Sequence, residues 1–303
     1  MRIATSLAEP EGPQALSLLR DQLLRAVDDG FSSAWMANIF GLDALTALAV
    51  AGHGVPDIEI GTAVVPTYPR HPAVMAQHAL TTALALDGRL ALGIGLSHKI
   101  VIEDMYGYSF DGPATHMSEY LSILLPLLEG QQATFVGTTM RAGIGLSTPR
   151  GGQVEVLLAA LGPQMLRLAG QRTAGTILWM TGPATVRDYI VPTINAAAQQ
   201  AGRPAPRVVC TLPVCVTSEP GDARARAAEV FQIYGHLPSY RAMLDREGVA
   251  GPGDVAIVGD EDAVTSQIMA LAGYGVTDFV AAEYSKGDEE HRTRGLLKSL
   301  IAG

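Results

Sequence analysis

Three short stretches hold the groups best able to do chemistry. GIGLSHK, 93–99, places Ser97, His98 and Lys99 directly behind two glycines. Glycine lets backbone come close to a flat ligand, and a histidine beside it exchanges a proton near neutral pH. AALGPQM, 159–165, reads as a strand end, a Gly162–Pro163 turn and a helix start at Gln164. The free amides of a helix N-terminus suit a phosphate. WMTGP, 179–183, repeats that design with Thr181 as a hydroxyl donor. Each stretch also has a plainer reading, because glycine at a strand end is ordinary turn chemistry. The two Gly-Pro turns reinforce each other if their strands are neighbours, since one phosphate could then touch both.

Among the histidines, His98 and His71 fall just past strands, where an acid or base would stand. His53 and His78 fall late in or within helices, and His116, His236 and His291 read as surface or helix positions. No His/Glu/Asp grouping has metal-ligand spacing, so no metal site is expected. There is no G-x-S-x-G elbow, no G-x-G-x-x-G opening a first βα unit and no G-x-x-x-x-G-K-[ST]. Serine hydrolase, Rossmann and P-loop chemistry are therefore unsupported.

The elements that must position these groups alternate regularly. Strands are expected at 2–7, 32–37, 57–65, 89–94, 154–160, 175–180, 207–216 and 277–283. Helices are expected at 13–29, 43–52, 72–86, 116–129, 163–171, 184–201, 221–247, 261–273 and 288–301. Leu16, Leu19, Leu23, Leu24 and Val27 show the helical spacing in the first of these. The stretch 95–115 makes a long fourth βα loop, and the Gly/Thr-rich 130–152 reads as an excursion between strands 4 and 5. Eight βα units predict a (β/α)₈ TIM barrel formed as a single domain over 1–303, with active groups at the strand C-termini.

Composition agrees. The chain is 48% hydrophobic, 17% charged and only 6% aromatic, which suits an aliphatic parallel sheet covered by helices on both faces. The net charge of −9 argues against non-specific nucleic-acid binding. No apolar run is long enough to span a membrane, and the N-terminus lacks a signal-like core, so a cytoplasmic protein with no membrane partner is expected. Cys210 and Cys215 lie in one apolar run and read as buried bystanders.

Residues 61–98, GTAVVPTYPRHPAVMAQHALTTALALDGRLALGIGLSH, resemble the luciferase-like flavin and deazaflavin oxidoreductases. FSSAWMANIFGLDALTALA (31–49), EYLSILLPLLEG (119–130) and LAALGPQMLRLAGQRTAGTILW (158–179) extend the resemblance over nearly the whole chain. The YPRHP and GLSHK versions are similar to F420-dependent members.

That resemblance implies a ring system across the barrel mouth against strand 3. It also implies a non-prolyl cis bond at Ala63–Val64 and a phosphate near Gly162, Pro163, Gln164 and Thr181. His98 falls where a sugar-phosphate dehydrogenase branch carries a catalytic glutamate. Ser97 stands beside it, and Lys99, Arg70 and His71 are candidates for an anionic cofactor tail. Many relatives carry Asp-His where this chain has Asn38-Ile39. Asn38 can hydrogen-bond cofactor or substrate but is no base, and Ile39 removes the histidine of luciferase-type monooxygenases. The expected activity is F420-dependent hydride transfer to a small organic substrate by a homodimer. The alternatives are an FMN-dependent monooxygenase fed by a separate reductase and a silent cofactor-binding protein.

Overall fold

The computed structural model describes residues 1–302. Its strands are β1 (Arg2–Ser6), β2 (Ser33–Met36), β3 (Glu59–Thr62), β4 (Val65–Pro66), β5 (Leu90–Gly95), β6 (Ala133–Val136), β7 (Arg141–Ile144), β8 (Glu155–Leu158), β9 (Gly175–Trp179), β10 (Arg207–Val216), β11 (Ile257–Gly259) and β12 (Asp278–Glu283). Its helices are α1 (Ala15–Asp28), α2 (Ala44–Gly52), α3 (Pro72–Ala85), α4 (Pro113–Leu128), α5 (Pro163–Arg172), α6 (Pro183–Thr185), α7 (Val191–Gln200), α8 (Pro220–Val230), α9 (Pro238–Glu247), α10 (Glu261–Gly273) and α11 (Asp288–Ala302).

Parallel pairing runs β10–β12–β1–β2–β3–β5–β8–β9 and returns from β9 to β10, so eight strands close a (β/α)₈ barrel. All eight expected strands are present. Short β4 continues β3 along β5 after a break. β11 pairs with the outer end of β10 and was not foreseen. The excursion before β8 is an antiparallel hairpin, β6–β7.

Two helical expectations change in detail. The expected helix over 221–247 is two helices, α8 and α9, joined by a 3₁₀ turn at Gln232–Gly235. Gly235 and Pro238 interrupt it, because neither sits well in a helix interior. The second change is that α6 and α7 are joined by a π-helical turn, Val186–Ile190.

The barrel interior explains why so many inward residues are small. Ala4, Trp35, Ala91, Leu157, Ile177, Val209 and Val280 pack as one inner cluster, one from each of seven staves. The eighth stave, β3, contributes Gly61, where an added Cβ would stand 2.2 Å from the Trp35 ring. The indole therefore fills the space that larger side chains fill in other barrels. Below it, Arg207 lies over the Trp35 ring at 6.0 Å and pairs with Glu59, Glu155 and Asp278 at 2.8, 2.6 and 3.0 Å. This ionic group closes the N-terminal rim. Ala63, Val64 and Ala159 cap the inner cluster on the other side and form the floor of the C-terminal mouth. Cys210 and Cys215 are buried free thiols, as expected.

Candidate active site

The mouth is shaped by the break between β3 and β4. The Ala63–Val64 peptide is cis, and both residues are half-buried. Pairing with β5 stops at Gly61 and resumes at Val65. Across the gap, the Thr62 hydroxyl donates to the Gly93 carbonyl at 2.8 Å and accepts from the Gly93 amide at 2.9 Å. A Cβ on Gly93 would come within 1.9 Å of the Thr62 carbonyl oxygen, and one on Gly95 within 2.7 Å of Val64. The glycines of GIG therefore make room for the neighbouring strand's break. That corrects the expectation that they admit a flat ligand directly.

Past β5 the chain turns sharply. Ser97 takes φ +63°, a conformation uncommon for a residue with a side chain. The His98 carbonyl accepts from Val101 and Ile102 at 2.9 and 3.0 Å, starting the π-helical turn Val101–Met105. The His98 ring is half-buried and lies 5.5 Å from the Tyr240 ring. Burial alone holds its pKa below the ordinary histidine value. Lys99 points outward, 71% exposed, and pairs with Glu103 at 3.6 Å.

At the α5 end, where a phosphate is expected, the helix start is open. Gly162 is the N-cap, no side chain caps the helix, and a Cβ on Gly162 would meet nothing within 4 Å. Pro163 has no amide hydrogen, so Gln164 and Met165 supply the first-turn donors. The α6 end is occupied. Its Ala184 and Thr185 amides donate to the Glu247 carboxylate at 3.0 and 2.7 Å. Thr181 is fully buried and its hydroxyl donates to the Trp179 carbonyl at 3.2 Å. A phosphate reaching the α6 amides would meet a carboxylate already in place.

Other expected residues are committed locally. Asn38 Oδ1 accepts from the Ala44 amide at 3.0 Å, at the start of α2, which leaves its Nδ2 as the group able to face a ligand. Ile39 is exposed. His71 caps α3, its Nδ1 accepting from Ala73 at 3.2 Å. Arg70 pairs with Asp43, itself the N-cap of α2, so the Arg70 charge is already met.

His116 lies on α4, the helix alternative of its expectation, but it is not at the surface. It is 7% exposed, stacks on Tyr68 at 3.9 Å between centroids and 5° between planes, and shares a 3.1 Å hydrogen bond with Thr67. Burial pushes its pKa down to about 4, against a smaller upward pull from Glu119. The aromatic chain from Trp179 through Tyr234 to Tyr240 was also missed, with centroid steps of 5.5 and 5.1 Å. In a chain with only 17 aromatic residues, the spacing of Phe231, Tyr234 and Tyr240 was the available signal. Their contacts depend on how the loop after β10 folds back, which spacing alone does not give.

His98, Gly162 and Trp179 thus lie at the C-terminal ends of three consecutive staves, β5, β8 and β9. Among the described residues no group of His, Cys, Asp and Glu is arranged to hold a metal ion, and no helix is long and apolar enough to cross a membrane.

The sequence matches the luciferase-like monooxygenase family over residues 2–278, and the chain belongs to that family. A 5,10-methylenetetrahydromethanopterin reductase of Methanolobus tindarius is 27% identical over 86% of this chain and 79% of its own. The structure of the coenzyme F420-dependent tetrahydromethanopterin reductase of Methanopyrus kandleri superposes with TM-score 0.81 at 20% identity, covering 99% of this chain and 97% of that one. The FMN-bound oxygenating constituent of 3,6-diketocamphane monooxygenase from Pseudomonas putida superposes with TM-score 0.77 at 17% identity, over 99% and 96%.

Proposed function

We propose that this chain is an F420-dependent reductase that passes hydride to an activated C=C, C=N or C=O bond of a small organic substrate. One observation carries the reading. His98 is a half-buried histidine at the mouth with no ion-pair partner, one stave away from an uncapped helix N-terminus. A double-bond reduction needs one hydride and one proton, and this arrangement provides one proton donor beside one anion cradle. The name of the Methanopyrus relative supports the same cofactor, and the names of the Methanolobus and Methanopyrus relatives both support the reaction class.

When bound, the deazaflavin supplies hydride at C5. The chain does the rest. The Gln164 and Met165 amides would hold the phosphate at α5, with Gly162 leaving the approach open. Ala63 and Val64, at the floor of the mouth, would support the ring, and Ser97 and Asn38 Nδ2 would be free to hydrogen-bond it. Protonated His98 donates from its imidazolium to the substrate atom not receiving hydride, and water returns that proton. Reduction therefore follows the imidazolium fraction and declines as pH rises through the His98 pKa. Binding in a site shaped beforehand supplies orientation and keeps water out. We read the assembly as a homodimer, on family resemblance.

The Pseudomonas likeness favours a second reading, an FMN-dependent monooxygenase. Ile39, exposed where luciferase-type enzymes carry a histidine, speaks against it. Fluorescence titration with F420 and with FMN decides between them, followed by turnover with a panel of enones and imines. Micromolar F420 binding is expected, with His98→Ala retaining it and losing about 100-fold or more in kcat. Tight FMN binding without F420 binding would replace the first reading with the second. Bound F420 that no acceptor oxidises, in wild type and His98→Ala alike, would leave a cofactor-binding protein.

A further inference from the structure

The His98 ring is covered from a distant part of the chain. Helix α9 carries Tyr240 in its first turn and Glu247 at its last residue. Tyr240 packs on His98 at 5.5 Å and on Tyr234 at 5.1 Å. At the other end, Glu247 accepts from the Ala184 and Thr185 amides, and the Arg246 guanidinium lies 3.9 Å over the Tyr189 ring. The Thr185 hydroxyl donates to the Met243 carbonyl at 3.4 Å. Gly182 is pressed against the latch, since a Cβ there would stand 2.3 Å from the Glu247 carboxyl carbon.

The rest of α9 holds the barrel weakly. Of its ten residues only Met243 and Leu244 are buried. It is flanked by the 3₁₀ turn at Gln232–Gly235 and by Gly248 at φ +80°. Its two ends rest on segments that follow β5 and β9, with the β8 stave between them. A short, mostly polar helix fixed at both ends over a barrel rim is a strap, and its firmest fastening is a charged one.

We propose that α9 is a strap across the barrel mouth and that Glu247 is a positioning residue, latching the strap to the α6 amides so that Tyr240 stays against His98. The consequence for catalysis rests on the reading of His98 as the proton donor. The strap itself does not. Tyr240 is the titratable group packed on His98 from another element, while Lys99 and Glu103 on its own segment pair with each other.

The chain carries its own probe. It has two tryptophans. Trp35 is sealed inside the barrel at 1% exposure, so changes in emission on opening the strap belong to Trp179. Glu247→Ala, without cofactor, is expected to red-shift emission, increase acrylamide quenching several-fold and speed amide exchange over 236–250 by about tenfold or more, the equivalent of one lost charged hydrogen bond. Glu247→Gln, which keeps one acceptor, should fall between it and wild type and serves if the alanine variant does not fold. Saturating formate separates a latch from a mere helix cap. Formate can refill the α6 amides but is not tethered to α9, so Glu247→Ala should stay open in its presence. Tyr240→Leu should leave exchange over α9 unchanged while moving the inflection of the pH–rate profile upward, toward that of a solvated histidine.

Wild-type emission and exchange in Glu247→Ala, or their full restoration by formate, would overturn the strap. If wild type fails to bind F420, the functional reading falls, and the fluorescence and exchange measurements still decide on the strap.

Discussion

The Thr62 hydroxyl holds both backbone groups of Gly93, donating at 2.8 Å to its carbonyl and accepting at 2.9 Å from its amide. One side chain thus replaces the ladder that β3 would otherwise continue with β5. Thr62→Val keeps the shape and removes both bonds, leaving a buried N–H and C=O unpaired. The expected cost is about 2–4 kcal/mol, read as a lower urea midpoint with unchanged slope. Gly93→Ala must move backbone rather than a side-chain tip, because the clash is with the Thr62 carbonyl, and should cost about 3 kcal/mol or more. A Thr62→Val protein as stable as wild type would mean that the break is held by other contacts.

The contrast between Gly93 and Gly162 shows what was legible in the sequence. Both were picked out as strand-end glycines, and the eight-stave order was readable from apolar periodicity. Their roles were not. Gly93 answers a neighbour 31 residues away in sequence, whereas Gly162 has open space. The uncapped start of α5 was visible because all of its parts are local. The occupation of the α6 amides was invisible, because Glu247, which fills them, lies more than sixty residues downstream. The burial of His116 was hidden for a similar reason. Its own helix marks it as ordinary, and only the return of Tyr68 makes it buried.

Stability of His116 should leave a signature in acid. The folded protein keeps the imidazole neutral down to about pH 4, because burial disfavours the cation. The unfolded chain takes up a proton near pH 6.5. Between these values the unfolded state binds more protons, so stability rises with pH. The contribution is complete above pH 6.5 and is lost as pH falls toward 4, by about 3 kcal/mol in all. His116→Phe keeps a ring against Tyr68 and cannot titrate. Urea midpoints between pH 4 and 7 should therefore fall less steeply for the variant, and identical slopes would refute the assignment.

A second buried group acts lower on the pH scale. Glu119, on α4, accepts from the amides and hydroxyls of Thr138 and Thr139 at 2.5–2.8 Å and from the Met140 amide at 2.9 Å. Burial alone would raise its pKa. The hydrogen bonds outweigh burial and hold it at about 2. These residues form the tip of the β6–β7 hairpin, so one carboxylate ties the excursion to the barrel. Its stabilisation is present above the unfolded carboxylate range near 4.5 and disappears as pH drops through about 2. Glu119→Ala should cost about 3 kcal/mol by stranding several donors and should free the hairpin. Amide exchange over 133–144 measures this directly. Protection that survives the substitution would show that apolar packing, not Glu119, holds the hairpin.

Gly162 separates folding from binding most cleanly. Its backbone, φ −84° and ψ 159°, is open to any residue, and a side chain there meets no protein atom within 4 Å. Gly162→Val should therefore fold with a midpoint within about 0.5 kcal/mol of wild type. The new methyl groups would project into the approach to the Gln164 and Met165 amides, where the cofactor phosphate is proposed to lie. F420 affinity should fall by about tenfold or more, the equivalent of one displaced phosphate contact. A deazaflavin lacking the phosphate-bearing tail should bind wild type and variant alike, because it never reaches α5. Equal F420 affinity in the two proteins, with folding intact, would move the phosphate away from α5 and leave His98 without its neighbouring cradle.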